Sequence, residues 1–245
     1  MPPSLRPTHL FATLLGVATL PAHAALVYSN DFQSGVGAEW SNTLIAAAPT
    51  PYPFGPRLFL GEFGNETVTL TLGEVGAATL RLEFDFFAIR SWDGSSAGTA
   101  YDYGDDHFRV AVAGGPALFD ATFSNGNPAG QSYGPNALDP YHTGAAEAYS
   151  LGYYFYDGIQ ESGQVMDSVY RLGFDFTHLG GALAFSFSGD GLQTLDDESW
   201  GLDNVLVSRA DIGTGPASAA PEPASLALVA LGLAGLGISR AKRRA

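Results

Sequence analysis

The chain contains no cysteine, and only 11 of its 245 residues are basic. Without cysteine it cannot be stapled by disulfides, so its stability must come from core size or from a bound metal. Five basic residues lie near the two ends, and residues 25–220 carry six basic against 24 acidic residues, a net charge of −18. Such a surface repels nucleic acid and anionic membrane, which excludes both as partners of this region.

Sustained helical periodicity is also absent before residue 221. Apolar and polar residues instead alternate over short segments, as in Thr79–Ala88 and Tyr170–Phe176. Further strand-like segments are Arg57–Leu60, Glu66–Leu72, His107–Val112, Phe119–Phe123, Leu183–Phe187 and Leu202–Arg209. Short strands with one apolar face bury those faces by packing sheet on sheet. We therefore expect residues 25–209 to form an all-β domain, a jelly-roll-like antiparallel β-sandwich.

Two segments of this region differ in composition from the strands. Residues 125–163 lack clear alternation and are rich in Gly, Pro, Asn and Tyr, which predicts a long ordered excursion over the sandwich. Residues 210–220 consist mainly of small residues, which is typical of a linker.

The first 24 residues have the features of a secretory signal peptide. Arg6 precedes an 11-residue apolar stretch, Leu10–Leu20, which has the length of the hydrophobic part of such a signal. Ala22-His23-Ala24 then fits the pattern that signal peptidase cleaves, which predicts a mature protein beginning at Ala25.

The last 25 residues predict a second export feature, a membrane-spanning helix. Pro221-Glu222-Pro223 leads into 16 uncharged residues, 224–239, and four of the last six residues are basic. As a helix this run is about 24 Å long, close to the hydrocarbon thickness of a bilayer once its flanks are included. Basic residues stay on the cytoplasmic side, which places the preceding domain outside the inner membrane.

This order of motif, apolar run and basic end resembles the PEP-CTERM sorting signal of exported bacterial proteins. The resemblance implies processing by an exosortase-type membrane protease. It also implies a location at the cell surface or outside the cell, with transient or retained anchoring through the C-terminal helix.

Acidic loops predict a structural calcium site in the β-sandwich. Asp93 follows one predicted strand, and Asp105 and Asp106 precede the next, so carboxylates at both ends of one loop can converge on one ion. A second acidic stretch, 196–198, lies just before Trp200. No Asp-x-Asp-x-Asp-Gly loop is present, so this is not an EF-hand.

The predicted first and last strands carry a second resemblance. Asn30-Asp31-Phe32 and Trp200–Val205 are similar to the terminal strands of lectin-like and carbohydrate-binding jelly rolls. In those families a structural calcium often lies where these strands meet. The resemblance therefore implies Asp31 and Asp203 as further calcium ligands.

Aromatic side chains are the candidate contacts for a glycan. Trp92 and Trp200 offer flat apolar faces, and the excursion adds tyrosines whose hydroxyls can form hydrogen bonds. These tyrosines are Tyr133, Tyr141, Tyr149, Tyr153, Tyr154 and Tyr156. The alternative is that the aromatic residues fill the core and pin the excursion.

The function that these features favour is non-catalytic. We expect an exported cell-surface or extracellular (biofilm) matrix protein, calcium-ordered and associated with exopolysaccharide. An extracellular glycan-active hydrolase is the alternative, because Glu83 and Asp85 stand about 7 Å apart on one strand face. Phe87 and Ala88 occupy the positions where jelly-roll glycosidases of this pattern carry their second acid. A third possibility is a structural coat protein with no ligand.

Overall fold

The computed structural model describes residues 25–52, 55–95, 104–126, 130–154 and 164–210. The regular structure of these residues consists of strands: β1 (Leu26–Asn30), β2 (Ile45–Tyr52), β3 (Gly55–Phe63), β4 (Thr67–Val75), β5 (Ala78–Arg90), β6 (His107–Val112), β7 (Ala117–Thr122), β8 (Glu147–Ala148), β9 (Asp167–His178), β10 (Gly181–Asp190) and β11 (Glu198–Arg209). No helix in this described part is long and apolar enough to cross a membrane. The predicted signal and membrane helices lie outside the described residues.

The strands form two antiparallel sheets. The larger sheet has the order β2-β3-β11-β5-β9-β8, with β1 also paired to β11, and the smaller has the order β4-β10-β6-β7. Between β3 and β11 the chain repeatedly crosses from one sheet to the other, so most sequence neighbours are not sheet neighbours. Eight strands ordered 3-11-5-9 and 4-10-6-7 have the pairing of a jelly roll, in agreement with the predicted fold class.

The main core lies between the two sheets and is dominated by aromatic rings. Phe86 and Phe108 stack with centroids 4.0 Å apart, and Phe84 packs edge-on against Phe187 at 5.3 Å. The predicted alternation holds along β10, where Leu183, Phe185 and Phe187 are fully buried. Burial of these rings is the largest favourable term available to a chain without disulfides.

A second apolar cluster covers the outer face of the larger sheet. It consists of Ala48, Phe59, Phe87, Ile89, Leu151, Tyr153 and Val169. Leu151 and Tyr153 belong to the predicted excursion, and these two residues pack on the sheet. The alternation of buried and exposed residues therefore ends within β5, because Phe86 to Ile89 are all buried. Of these, Phe87 and Ile89 belong to the second apolar cluster on the outer face.

Three strands were not among the alternating segments. β1 and β2 are short or rich in alanine and proline, and β8 has only two residues. β1 pairs with the end of β11, with Asn30 opposite Val205. The terminal strands are thus neighbours, as the lectin-like resemblance implies.

Candidate functional site

Three acidic side chains from distant parts of the sequence meet at one end of the sandwich. Asp93 follows β5, Asp106 immediately precedes β6, and Glu198 begins β11. One carboxylate oxygen of each lies within 4.8 Å of the others. We call this group the acidic centre.

Each of the two fully buried carboxylates is held through one oxygen and leaves the other without a partner. Asp106 Oδ2 accepts hydrogen bonds from the backbone N–H groups of Asp93 and Gly94, the latter at 3.0 Å. Glu198 Oε2 accepts from the N–H of Gln193 at 2.7 Å. Asp106 Oδ1 and Glu198 Oε1 are buried and have no hydrogen-bond partner among the described residues. The backbone hydrogen bonds thus fix the positions of two further carboxylate oxygens whose own hydrogen-bonding capacity is unused.

Two glycines allow the loops around the acidic centre to pack backbone against backbone. Gly94 has φ 76°, and a Cβ there would lie 1.8 Å from the carbonyl oxygen of Gly130. Gly191 has φ 87°, and a Cβ there would lie 2.0 Å from the carbonyl oxygen of Asp105. Both the conformation and the space require glycine.

The acidic centre is electrostatically costly when all its carboxylates are ionised. Burial, followed by repulsion from Asp106, raises the pKa of Glu198 to about 9. Burial is also the main cause that raises the pKa of Asp106 to about 7, with a further contribution from the charge of Asp93. The pKa of Asp93 is raised by burial and by the neighbouring charge of Asp197. A proton or a cation therefore stabilises this group at neutral pH.

The structure brings together part of the predicted calcium set. Asp93 and Asp106 converge as the loop argument predicts, whereas Asp105 is exposed and is not a member of the clustered group. Glu198 was not among the predicted ligands. It reaches the acidic centre because β11 pairs with β5, with Glu198 opposite Arg90. The acidic stretch 196–198 was the only sequence signal for it.

The structure places Asp31 and Asp203, the two calcium ligands that the resemblance implies, in different surroundings. Asp203 Oδ2 accepts from Arg57 at 3.2 Å, on the outer face of the larger sheet. Asp31 is exposed, and its Oδ1 accepts from the N–H of Gln33. Neither belongs to a metal-sized acidic group within the described residues.

Both predicted glycan-contact tryptophans lie in the core. Trp92 and Trp200 are fully buried. Their Nε1 atoms donate to the backbone carbonyls of Ser199 at 2.8 Å and of Gly64 at 2.7 Å. With their faces packed and their polar atoms satisfied, they present nothing to a glycan. The structure thus corrects this prediction in favour of the core alternative.

The exposed aromatic side chains lie instead on the excursion. Tyr141 and Tyr149 flank the ring of His142 edge-on, with centroid distances of 5.1 and 4.6 Å, and we call these three residues the aromatic surface. The two tyrosines are 39% and 49% exposed. Burial lowers the pKa of His142, and its Nε2 has no partner among the described residues.

The backbone of the aromatic surface is fixed in an unfavourable conformation. His142 has φ 61° and Tyr149 has φ 60°, which bulky residues seldom adopt. Their N–H groups donate to the carbonyls of Ser124 and Asp167 at 3.1 and 3.0 Å. Strain of this kind is often retained where a side chain must be presented in a particular way.

The carboxylates of the hydrolase alternative are occupied by arginines. Asp85 accepts from Arg57 at 3.2 Å and from Asn204 at 2.8 Å. Glu83 pairs with Arg81 at 3.2 Å. Both carboxylates of the pair are therefore engaged in ion pairs within the sheet.

Comparison with protein families identifies the tail. Residues 219–244 match the PEP-CTERM protein-sorting motif, which confirms the sequence prediction for this segment. A comparison with curated protein sequences finds no match.

Solved structures similar to this chain share little sequence identity with it. The K3 cleaved adhesin domain of Lys-gingipain from Porphyromonas gingivalis is 15% identical over 75% of this chain and 99% of that one, with a TM-score of 0.39. A carbohydrate-binding module of lichenase 5A from Cellvibrio mixtus, solved with cellotriose, is 9% identical over 76% and 98%, with a TM-score of 0.33. The carbohydrate recognition domain of Emp47p is 12% identical over 79% and 100%, with a TM-score of 0.35. Likenesses of this size assign no function to the chain.

Proposed function

We propose that this is an exported, exosortase-sorted protein of the cell surface or extracellular matrix, whose β-sandwich binds a polysaccharide without cleaving it. The sorting motif at residues 219–244 supports the first part. Signal peptidase and an exosortase-type protease are the processing partners, and residues 224–239 hold the chain in the inner membrane before processing.

The aromatic surface is the single observation that carries the binding function. Tyr141 and Tyr149 combine apolar ring faces with hydroxyl groups, which suits sugar rings that have both C–H faces and hydroxyls. They lie on an ordered excursion, so binding does not have to order the segment first. Because residues 25–220 carry a charge of −18, the expected ligand is a neutral or cationic exopolysaccharide.

A non-catalytic role agrees with the ion pairs formed by the two carboxylates on which the hydrolase alternative depends. Glu83 and Asp85 share the outer face of β5, but Arg81 and Arg57 engage them. The carboxylate pair on which the hydrolase alternative depends is therefore occupied by ion pairs within the sheet.

Binding of the full-length protein to exopolysaccharide from the producing organism tests the proposal. We expect saturable binding by calorimetry, weakened at least about tenfold in the double variant Tyr141→Ala and Tyr149→Ala, since stacked aromatic contacts contribute about 1 kcal/mol or more each. Tyr154→Ala is the matched control because Tyr154 is 50% exposed but is not part of the aromatic surface. Equal binding by all variants would refute this site. Release of reducing ends that is lost in Glu83→Gln would favour the hydrolase instead.

A further inference from the structure

We propose that the acidic centre is a Ca²⁺ site, with Asp93, Asp106 and Glu198 as its protein ligands. The ion would clamp the segments next to Asp93 and Asp106 to the beginning of β11. This inference is independent of polysaccharide binding, because it rests on different residues.

The unpartnered oxygens are the main observation. Asp106 Oδ1 and Glu198 Oε1 are buried in residues with 0% exposure and have no hydrogen-bond partner in the described part of the chain. Leaving a buried acceptor unsatisfied is costly, and more so when it is charged. The second oxygen of each carboxylate is tied to backbone N–H groups, so the free oxygens have fixed positions. A cation bound by both oxygens, or a proton shared between the two carboxyl groups, would remove the cost.

Donor type and spacing favour calcium. All three donors are carboxylate oxygens, which hard cations prefer, and the group includes no histidine or thiolate for zinc. Oxygens on opposite sides of Ca²⁺ are about 4.6–5.2 Å apart, so one ion can contact oxygens that lie within 4.8 Å of one another. Mg²⁺ needs shorter bonds and keeps more of its water, so three converging carboxylates suit it less well.

The charged groups around the acidic centre also favour a bound cation. Asp197 lies close enough to both Asp93 and Glu198 for its negative charge to add to theirs. The nearest arginine along the chain, Arg90, is engaged by Glu62 and Ser199. The described ion pairs thus leave the negative charge of Asp106 and Glu198 uncompensated, and a divalent cation would offset it.

Protonation is the competing way to stabilise the same group, and it has the opposite pH dependence. Without calcium, a proton bound by these carboxyl groups removes their mutual repulsion, so this stabilisation is present at low pH and is lost as the groups ionise. Calcium requires deprotonated ligands, so its stabilising effect should grow over the same pH range.

Thermal unfolding of the full-length protein in mild detergent distinguishes stabilisation by calcium from stabilisation by protonation. We expect calcium at about a hundredfold above its Kd to raise Tm by about 5–10 °C relative to chelator, with a much smaller effect of Mg²⁺. The rise should be larger at about pH 8 than at about pH 5. Terbium provides a direct readout, because Trp92 is adjacent to Asp93 and can sensitise its luminescence.

Variants make the test specific. Glu198→Gln and Asp106→Asn should abolish the calcium response and the terbium signal. In chelator at pH 8, Glu198→Gln should be at least as stable as the wild type, because it removes a buried charge, so a lost response would not mean misfolding. Asp196→Asn is the matched control, since Asp196 is exposed two residues away. Equal Tm in calcium and chelator, or an unchanged response in Glu198→Gln, would overturn the proposal.

Discussion

Arg57 is the residue on which the polar part of the larger sheet's outer face depends. Its guanidinium contacts Asp85 and Asp203 at 3.2 Å and Glu147 at 3.1 Å. It also lies over the ring of Phe87, 4.5 Å from the centroid. One arginine thus joins carboxylates from β5, β8 and β11. Its removal would leave those acids buried or half-buried without this cation.

We therefore predict that Arg57→Ala lowers the free energy of unfolding by about 3–5 kcal/mol, as is typical of breaking a buried ion pair. Urea denaturation measures this loss. Arg171→Ala is the control: its side chain is 67% exposed and contacts the same Asp85 and Glu147 at 3.6 and 3.4 Å. An exposed pair contributes about 0–1 kcal/mol, so equal losses in the two variants would contradict the buried role of Arg57.

The sequence identified acidic residues that lie near the site, but it predicted only in part which of them come together. Asp93 and Asp106 were correctly placed together because one loop connects them. Glu198 and Asp203 lie five residues apart on β11, yet they face different partners, one in the acidic centre and one at Arg57. Residues five apart on a strand point to opposite faces, so alternation accounts for the division. The partners on each face depend on which strands and loops flank β11, and these the local pattern does not predict.

At the scale of elements, two similar sequences turn out to be neighbouring strands. Arg81-Leu-Glu-Phe-Asp-Phe86 and Arg171-Leu-Gly-Phe-Asp-Phe176 lie in β5 and β9, which pair antiparallel. The reversed direction places Arg81 opposite Asp175 and Asp85 opposite Arg171, with ion-pair distances of 3.0 and 3.6 Å. The repeated pattern therefore supplies cross-strand charge pairs, which stabilise a sheet modestly.

The excursion is attached to the sheet by the first residue of β9. Both oxygens of Asp167 accept hydrogen bonds from four successive backbone N–H groups, those of residues 150–153, at 2.8–3.1 Å. Asp167 is fully buried. This single carboxylate satisfies backbone donors that no strand pairing reaches.

We predict that Asp167→Ala destabilises the protein by about 2–4 kcal/mol and removes the hydrogen-exchange protection of residues 150–153. Hydrogen exchange read by mass spectrometry reports the local effect, and chemical denaturation the global one. Asp175→Ala is the matched control on the same strand, since its side chain is 56% exposed. Retained protection in Asp167→Ala would show that the second apolar cluster alone holds the excursion.

At the scale of the whole molecule, charge is strongly divided along the chain. Residues 25–220 have a net charge of −18, whereas residues 240–244 contain four basic side chains. By the positive-inside rule the basic end favours the cytoplasmic side of a membrane. This division is independent of how the sandwich folds.

Because we propose that an exosortase-type protease recognises this motif, we predict that replacing Pro221, Glu222 and Pro223 together by alanine leaves the chain unprocessed in the membrane fraction. Fractionation and the mass of the recovered chain measure the outcome. Ser218→Ala, just before the matched segment 219–244, is the control and should be processed normally. Normal processing of the triple variant would contradict exosortase sorting through this motif.

The sequence by itself determined the sorting motif, the all-β class and the strands with regular alternation. Each is a local property, since a motif is read along the chain and alternation reflects one buried face. Tertiary structure alone decided which tryptophans were buried, which tyrosines were exposed and which acids met. Those outcomes depend on crossovers that bring residues as distant as Asp93 and Glu198 within 4.8 Å. No local pattern encodes these contacts, because they form only when both sheets and their loops are in place.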